Sequence, residues 1–352
     1  MRVSINIVTY NSLKDIDACL KSIFNQTNHD WRVLIVDNHS DDGTVEHIRA
    51  TYPTVTVLQN FKNLGFAKAQ NQALKFWDSE YALICNPDVV LAPTWLAELI
   101  AAADAHPTYG SLTGKIIRFS DSDQSTLALT PEHIDSTGLA VTRGRRFYDR
   151  GAGEEDRGQY DQSGDVFGVS GCVGFYRRPA LEAVKLPSEE GRRRQRFAAD
   201  QIYWEYFDEN FFMYQEDADL AWRLQFAGWP AYYVSTAEAS HRRSGFSHAS
   251  GEVDLRQAIS DRRRKSQFIN HHSYLNHWLL LIKNLAWSDL LRHGYAIVWY
   301  EFKKFGWLCL AEQRTLAVLP RLWRLLPATI RKRQVITQRR RTTPVELRPW
   351  WQ

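Results

Sequence analysis

Arg32-Val33-Leu34-Ile35-Val36-Asp37-Asn38-His39-Ser40-Asp41-Asp42-Gly43-Thr44 decides the fold. Arg32 to Val36 is a continuous apolar strand with no face suited to water, which is the environment of a parallel sheet covered on both sides. Asp37 to Asp42 breaks the run, and a helix opens at Thr44 and continues through Ile48. The same unit recurs on either side. Upstream, Val3 to Val8 ends in Thr9-Tyr10-Asn11-Ser12, a strand closing on a helix N-cap, and Leu13, Ile16, Leu20, Ile23 and Phe24 follow at helical spacing. Downstream come a strand at Val55 to Leu58, a helix from Ala67 to Trp77, and a strand at Tyr81 to Cys85 ended by Asn86-Pro87-Asp88.

Strands alternating with helices specify an α/β fold, a mostly parallel sheet with helices on both faces. Right-handed crossovers put the carboxyl ends of such strands on one edge. The polar clusters Thr9–Asn11, Asp37–Asp42 and Asn86–Asp88 are therefore expected to line one crevice, where open α/β sheets bind ligands. The first turn has neither GxGxxG nor a P-loop Gly-Lys-Ser/Thr, so a bound pyrophosphate must be neutralised in another way. Asp88 points to a divalent cation, because hard cations take carboxylate oxygens and bridge phosphates.

A second stretch carries candidate chemistry. In Phe207 to Trp229 an aromatic run turns into a helix at Glu216, Asp217 and Asp219; Leu220, Leu224 and Ala227 repeat at helical spacing, and Gly228 stops the helix. Acids in a first turn are held by unpaired N–H groups, and the expectation is that they stay ionised at neutral pH. Such a carboxylate can take a proton from a hydroxyl. The plainer reading is a capped helix with an ordinary Asp219–Arg223 pair.

A chain of 352 residues can bury a substantial core, and one large domain with an appendage is expected. The net charge of +4 is modest but gathers in runs such as Arg192-Arg193-Arg194, Arg262-Arg263-Arg264-Lys265 and Arg339-Arg340-Arg341. These suit solvated faces, an anionic membrane surface or a phosphorylated substrate; no nucleic-acid module accompanies them, and none is expected as partner. The four cysteines form no CxxC pair and sit among apolar residues, as free thiols do in a reducing compartment. The N-terminus reads directly into a strand without a signal peptide's apolar core, and no stretch reaches the roughly 18 apolar residues of a spanning helix. A cytoplasmic location is expected.

In order along residues 3 to 250, further motifs accompany these: Asn63-Leu64-Gly65-Phe66-Ala67 with Asn71, Gly171-Cys172-Val173-Gly174-Phe175, and His241 with Ser244. Together with Ile7-Val8-Thr9-Tyr10-Asn11, Val36-Asp37-Asn38, Asn86-Pro87-Asp88-Val89 and the stretch around Asp217, they resemble the inverting glycosyltransferases of family 2 and their rhamnosyltransferase-like branch. The resemblance implies a GT-A fold, a Rossmann-like mixed sheet. It implies nucleotide-sugar contacts at Thr9, Asn11, Asp37, Asn63, Gly65, Asn71, Asn86 and Asp88. Asp88 is similar to the metal-binding end of the family's DxD motif, with Asn86 in place of its first acid, and His241 resembles a second ligand for Mg²⁺ or Mn²⁺. Asp217 matches the catalytic base, and Glu216 positions substrate or caps the helix. The donor implied is a dTDP- or UDP-sugar, with rhamnose first among the sugars, and the acceptor a saccharide or lipid-linked saccharide in cell-surface polysaccharide synthesis.

Residues 1–254 are thus expected to form the catalytic domain, with a nucleotide-sugar half at 1–118 and an acceptor half at 119–254. Within the latter, 119–168 reads as a hairpin and a loop over the site. Residues 255–352 read as a basic, amphipathic helical extension. Trp278, Leu281, Ile282 and Leu285 form one apolar stripe; Ile297, Val298, Phe302 and Phe305 form another, with Trp299, Lys303 and Lys304 among them. Helices of this kind lie on membrane interfaces, here the inner face of the cytoplasmic membrane, or pack on the catalytic domain or a second subunit. Oligomeric state stays open. The alternative to an enzyme is a catalytically inactive GT-A-like scaffold in a membrane-associated glycan assembly complex; a nucleotidyltransferase would want a glycine-rich basic loop after the first strand, which the sequence lacks.

Overall fold

Alternate residues of the second strand pack in opposite directions. Val33 and Ile35 join a core with Val3, Ile5 and Ile7, whereas Leu34 and Val36 join Val8, Ala69 and Ala73 on the other side. This two-sided burial is what the apolar run demands. In the computed structural model, which describes residues 1–118, 133–189, 203–242 and 266–351, it builds a layered α/β molecule.

Strands β1 (Val3–Thr9), β2 (Trp31–Asp37), β3 (Thr56–Gln59) and β4 (Tyr81–Cys85) are parallel in the order β3-β2-β1-β4. Helices α1 (Leu13–Phe24), α2 (Thr44–Thr51) and α3 (Phe66–Phe76) connect them. The chain continues through β5 (Val89–Leu91), α4 (Trp95–Ala105), β6 (Ser111–Arg118), β7 (His133–Ser136), the hairpin β8 (Leu139–Val141) and β9 (Phe147–Asp149), and β10 (Gly164–Val166). Then come β11 (Val173–Arg177), α5 (Arg178–Val184), the short pair β12 (Leu186–Pro187) and β13 (Trp204–Glu205), α6 (Glu216–Phe226) and β14 (Ala231–His241). The full path is β10-β14-β6-β11-β4-β1-β2-β3, with β5 on β14 and β7 on β6. β11 runs antiparallel to β4 and β6, while β6 and β14 are parallel to each other, so the sheet is mixed and mostly parallel. Helices α1, α2 and α4 cover one face through Ile16, Leu20, Ile48, Trp95 and Leu99; α3, α5 and α6 cover the other through Leu74, Leu181, Leu220 and Leu224.

Beyond β14 the described chain is helical: α7 (Gln267–Asn284), α8 (Trp287–Ala311) and α9 (Leu319–Gln338). Its inner side shares a core with the catalytic half, where Tyr274, Leu275 and Leu279 meet Trp222 and Phe226. The tail returns to the β8–β9 hairpin, and Trp351 pairs with Val141. Of the basic runs, Arg192–Arg194 and Arg262–Lys265 lie outside the described residues, as do the segment 119–132 and Ser244. No described helix is long and apolar enough to cross a membrane. All four cysteines are free thiols, with Cys19, Cys85 and Cys172 buried.

Candidate active site

At the carboxyl ends of β1 and β2, Thr9 and Asp37 are register partners. Both are buried, and Thr9 Oγ1 donates to Asp37 Oδ1 at 2.8 Å. The backbone N–H of Ser40 donates to Asp37 Oδ2 at 2.9 Å, so the carboxylate is fixed on three sides of the turn that follows β2. Exposed Asn11, with φ of 52°, joins the same turn: its N–H donates to Ser40 Oγ and its Oδ1 accepts from Asp41 N. Ser12 stands at the N-cap of α1 as expected, yet Asp42 does the capping, accepting from Leu13 N at 3.0 Å.

Asn63 Oδ1 accepts from Gly65 N at 2.9 Å and shapes the entry to α3. Gly65 has φ of +82°, and a Cβ there would lie 2.5 Å from the Phe212 ring and 2.7 Å from the Phe212 carbonyl oxygen. Only glycine therefore lets the donor-side loop touch the segment before α6. Asn71 serves that junction too. It is buried; its Oδ1 accepts from Tyr206 N and Phe207 N, and its Nδ2 donates to Phe207 O at 2.8 Å and Glu209 Oε1 at 3.1 Å. The Asn71 amide is thus occupied by protein.

At the carboxyl end of β4, Asn86 N donates to Cys172 O at 2.7 Å, joining that turn to the start of β11. Asp88 Oδ1 is a buried atom without a hydrogen-bond partner, 3.3 Å from His241 Nε2. The other ring nitrogen, Nδ1, lies 2.8 Å from Asp135 Oδ2. Burial alone would lower the His241 pKa, but the bonds to Asp135 and Asp88 outweigh it and push it up to about 9. Asp135, Cys172 and His241 also offer three donor atoms within 4.8 Å of one another. A histidine anchored through Nδ1 presents Nε2 to a cation, the usual arrangement behind a ligating imidazole. The orphaned Asp88 oxygen and that nitrogen form a donor pair that fits a divalent ion.

Helix α6 starts after an unusual segment. Phe212, Tyr214 and Gln215 have φ of 63°, 71° and 65°, a left-handed conformation that non-glycine residues rarely adopt. The segment delivers Asp217 to the first turn, where Oδ2 accepts from Gly171 N at 2.9 Å and Oδ1 from Ala218 N at 2.7 Å. Gly171 carries no Cβ because one would sit 3.1 Å from that same Oδ2. Burial, and then the charge of Asp149 on β9, push the Asp217 carboxyl up to about 6 against those two N–H bonds. Glu216 is pushed further, to about 8, by burial and by Asp217 beside it. The expectation of fully ionised first-turn acids is therefore corrected for Glu216: desolvation outweighs the helix end. Asp217 remains the ionised member at neutral pH. Asp219 is the structural acid, 2.9 Å from Arg223 Nε and 2.9 Å from Lys283 Nζ.

One sheet edge gathers these groups. The carboxyl ends of β1, β2 and β4 hold Thr9, Asp37 and Asn86–Asp88. β14, parallel to them through β6, brings His241 to the same edge, and the start of antiparallel β11 brings Gly171 with Asp217. Asp135, Asp149 and the partner role of Gly171 are not legible in the sequence, since each acts through a neighbour distant along the chain.

Comparison with known proteins agrees with this geometry. The family model for glycosyl transferase family 2 matches residues 4–185. N-acetylglucosaminyl-diphospho-decaprenol L-rhamnosyltransferase of Mycobacterium tuberculosis is 29% identical over 259 residues, covering 69% of this chain and 76% of that protein. Among solved structures, S. aureus TarS 1-349 in complex with UDP-GlcNAc superposes with a TM-score of 0.51 at 16% identity, over 100% of this chain and 93% of that one. GalNAc-T7 with UDP, GalNAc and Mn²⁺ gives 0.54 at 11% identity, over 80% of this chain and 48% of that one. These two likenesses bear on the fold, which is that of the GT-A glycosyltransferases.

Proposed function

We propose that this chain, which belongs to glycosyl transferase family 2, moves a hexose from a nucleoside-diphosphate sugar to a hydroxyl of a saccharide or lipid-linked saccharide, with inversion, in cell-surface polysaccharide synthesis. The observation that carries the reading is Asp217, a buried carboxylate hung on Gly171 N at the sheet edge that also holds Asp37, Asp88 and His241. Each Asp217 oxygen accepts one N–H and keeps a lone pair for an acceptor hydroxyl. As that proton passes to Asp217, the acceptor oxygen attacks the anomeric carbon, and the bond from that carbon to the diphosphate oxygen breaks on the opposite face. One displacement inverts the configuration, and no covalent enzyme intermediate forms.

In this reading Thr9, Asn11 and Asp37 shape the base and ribose end of the donor pocket, and Asn63 and Gly65 its diphosphate side. Asn86 aligns the turn that presents Asp88, and Asn71 locks the donor half (about 1–118) to the acceptor half (119–254). Asp88 and His241 would hold a divalent cation, Mg²⁺ or Mn²⁺, whose charge favours departure of the diphosphate. Glu216, neutral beside an ionised Asp217, supplies a donor toward the acceptor.

The rhamnosyltransferase relative makes dTDP-rhamnose the first donor to try, with UDP-sugars next, and its name gives an acceptor carried on decaprenol diphosphate. A lipid-linked acceptor fits a second feature, the solvent face of α8, which is aromatic, basic and free of exposed carboxylates. On this reading the enzyme works peripherally on the inner face of the membrane. The deciding assay is a panel of dTDP-, UDP- and GDP-sugars scored for nucleoside diphosphate release with Mn²⁺, Mg²⁺ or chelator. Metal-dependent release from one donor is expected. Silence across the panel with binding intact would favour an inactive scaffold.

A further inference from the structure

Asn276 lies on α7, outside the family-matched region, and its side chain is fully buried. Its Nδ2 donates to three main-chain carbonyl oxygens: Phe211 at 2.9 Å, Met213 at 2.8 Å and Tyr214 at 2.8 Å. These carbonyls belong to the left-handed segment that runs into Asp217. A run of non-glycine residues with positive φ persists only where its surroundings over-determine it. Its carbonyls also fall outside any helix or sheet ladder, so burial without a donor would be costly. Asn276 answers both needs with one amide group.

The rest of that face of α7 grips the same segment. Gln215 Nε2 donates to Ser273 O at 3.3 Å, and the Phe212 ring meets His272 at 5.3 Å and Phe268 at 5.9 Å between centroids. Residues 268, 272, 273 and 276 share one side of a helix by their spacing. One turn further on, Lys283 Nζ and Asn284 Nδ2 each reach Asp219 Oδ1 at 2.9 Å, inside α6 itself.

We propose that Asn276 is a positioning residue for sugar transfer: from the C-terminal helices it holds the left-handed segment that aims Asp217 at the acceptor hydroxyl. The inference rests on the reading of Asp217 as the base. It makes α7 part of the catalytic apparatus of this chain. Loss of the amide frees three carbonyls to turn toward other donors, and the segment relaxes toward ordinary φ values with Asp217 displaced from its bond to Gly171.

The test is Asn276→Ala in the full chain, assayed with whichever nucleotide sugar is active and titrated with UDP and dTDP by calorimetry. The expected result is a roughly hundredfold fall in kcat, the scale of an ångström-sized misplacement. Donor KM and nucleotide affinity stay within about twofold, since the donor half is untouched. The acid limb of the kcat–pH profile moves by about half a unit or more, because the Asp217 surroundings change. Retention of kcat within about twofold, or a fall in kcat no larger than the fall in folded protein with the acid limb unmoved, would overturn the proposal. Asn276→Asp, equal in size but lacking the donors, replaces the alanine variant if that fails to fold; failure of both to fold would mark the bond as structural and overturn it as well. Asp217→Asn assayed alongside separates the two readings. Full activity there removes the base assignment itself, whereas a dead Asp217→Asn with an unimpaired Asn276→Ala removes only the role of Asn276.

Discussion

The Asp217 carboxyl sits between two opposing effects. Burial and Asp149 favour the protonated acid, while N–H groups from Gly171 and Ala218 favour the carboxylate, and the balance leaves it at about 6. A general base is most effective when its pKa lies near the working pH, high enough to bind the proton and low enough to be free of it beforehand. Asp217→Asn keeps the volume and removes the acceptor, so kcat should fall by roughly 10²–10⁴-fold with the melting temperature and nucleotide affinity little changed. The sign of the pH dependence follows: activity needs the ionised form, so kcat should rise as pH passes upward through about 6 and level off above it. Stability runs the other way for this group. A pKa raised on folding contributes stability that is present at low pH and is lost as pH climbs through about 6. A kcat profile flat from pH 5 to 8, or an active Asp217→Asn, would show that the proton goes elsewhere.

Elements that repeat a period were legible before any coordinates. The first-half strands and helices fall within a residue or two of their expected places: α3 spans Phe66–Phe76 against an expected Ala67 to Trp77, and β3 spans Thr56–Gln59 against Val55 to Leu58. Strands β7 to β10 were not, because three- and four-residue strands in a polar, glycine-rich stretch are too short to show alternation. The segment before α6 was also opaque, since nothing in Phe212-Met213-Tyr214-Gln215 advertises positive φ; the cause is tertiary. Part of that cause is a buried charge network between elements. Lys283 and Lys332, from α7 and α9, both bind Asp208, with Lys332 Nζ 2.6 Å from Oδ1, and Lys332 also reaches Glu205 at 2.5 Å. Burial alone would raise the Asp208 carboxyl, yet the two lysines hold it well below the usual carboxylate range. Asp208→Ala would strip an acceptor from both buried ammonium groups, and a loss of roughly 3–5 kcal/mol is expected by urea denaturation. The sign check gives a depressed acid, so its contribution is present above the unfolded carboxylate range and fades as pH falls below it. A loss under about 1 kcal/mol would mean that water reaches the network, as it does around surface pairs.

At the scale of the whole molecule, the C-terminal helices have two unlike sides. Their inner side braces the catalytic half through Asn276, Lys283 and Lys332. The outer side of α8 packs on nothing in the described chain: Trp287, Leu291, Tyr295, Val298, Trp299 and Phe302 are exposed, Leu291 by 89% and Tyr295 by 82%. The acids of α8, Asp289 and Glu301, are both buried, so its exposed charges are Arg292 and Lys303; Arg321 and Arg324 flank exposed Trp323 on α9, a helix without acids. Two copies meeting through this face would set like charges together, whereas an anionic bilayer offers both apolar depth and opposite charge. Vesicles of phosphatidylglycerol should therefore float the full-length protein and phosphatidylcholine vesicles should not, with binding weakened by salt. Tyr295→Glu with Phe302→Glu puts two charges where the apolar face would insert, and should cut vesicle binding about tenfold or more, since each charge buried in a bilayer is costly. Both side chains are solvent-exposed and far along the helix from the residues that brace Asp217, so transfer to a water-soluble acceptor should be unchanged. Flotation by the double variant equal to that of the parent would detach α8 from the membrane. A concentration-dependent dimer that the same substitutions dissolve would give the face to a second copy instead.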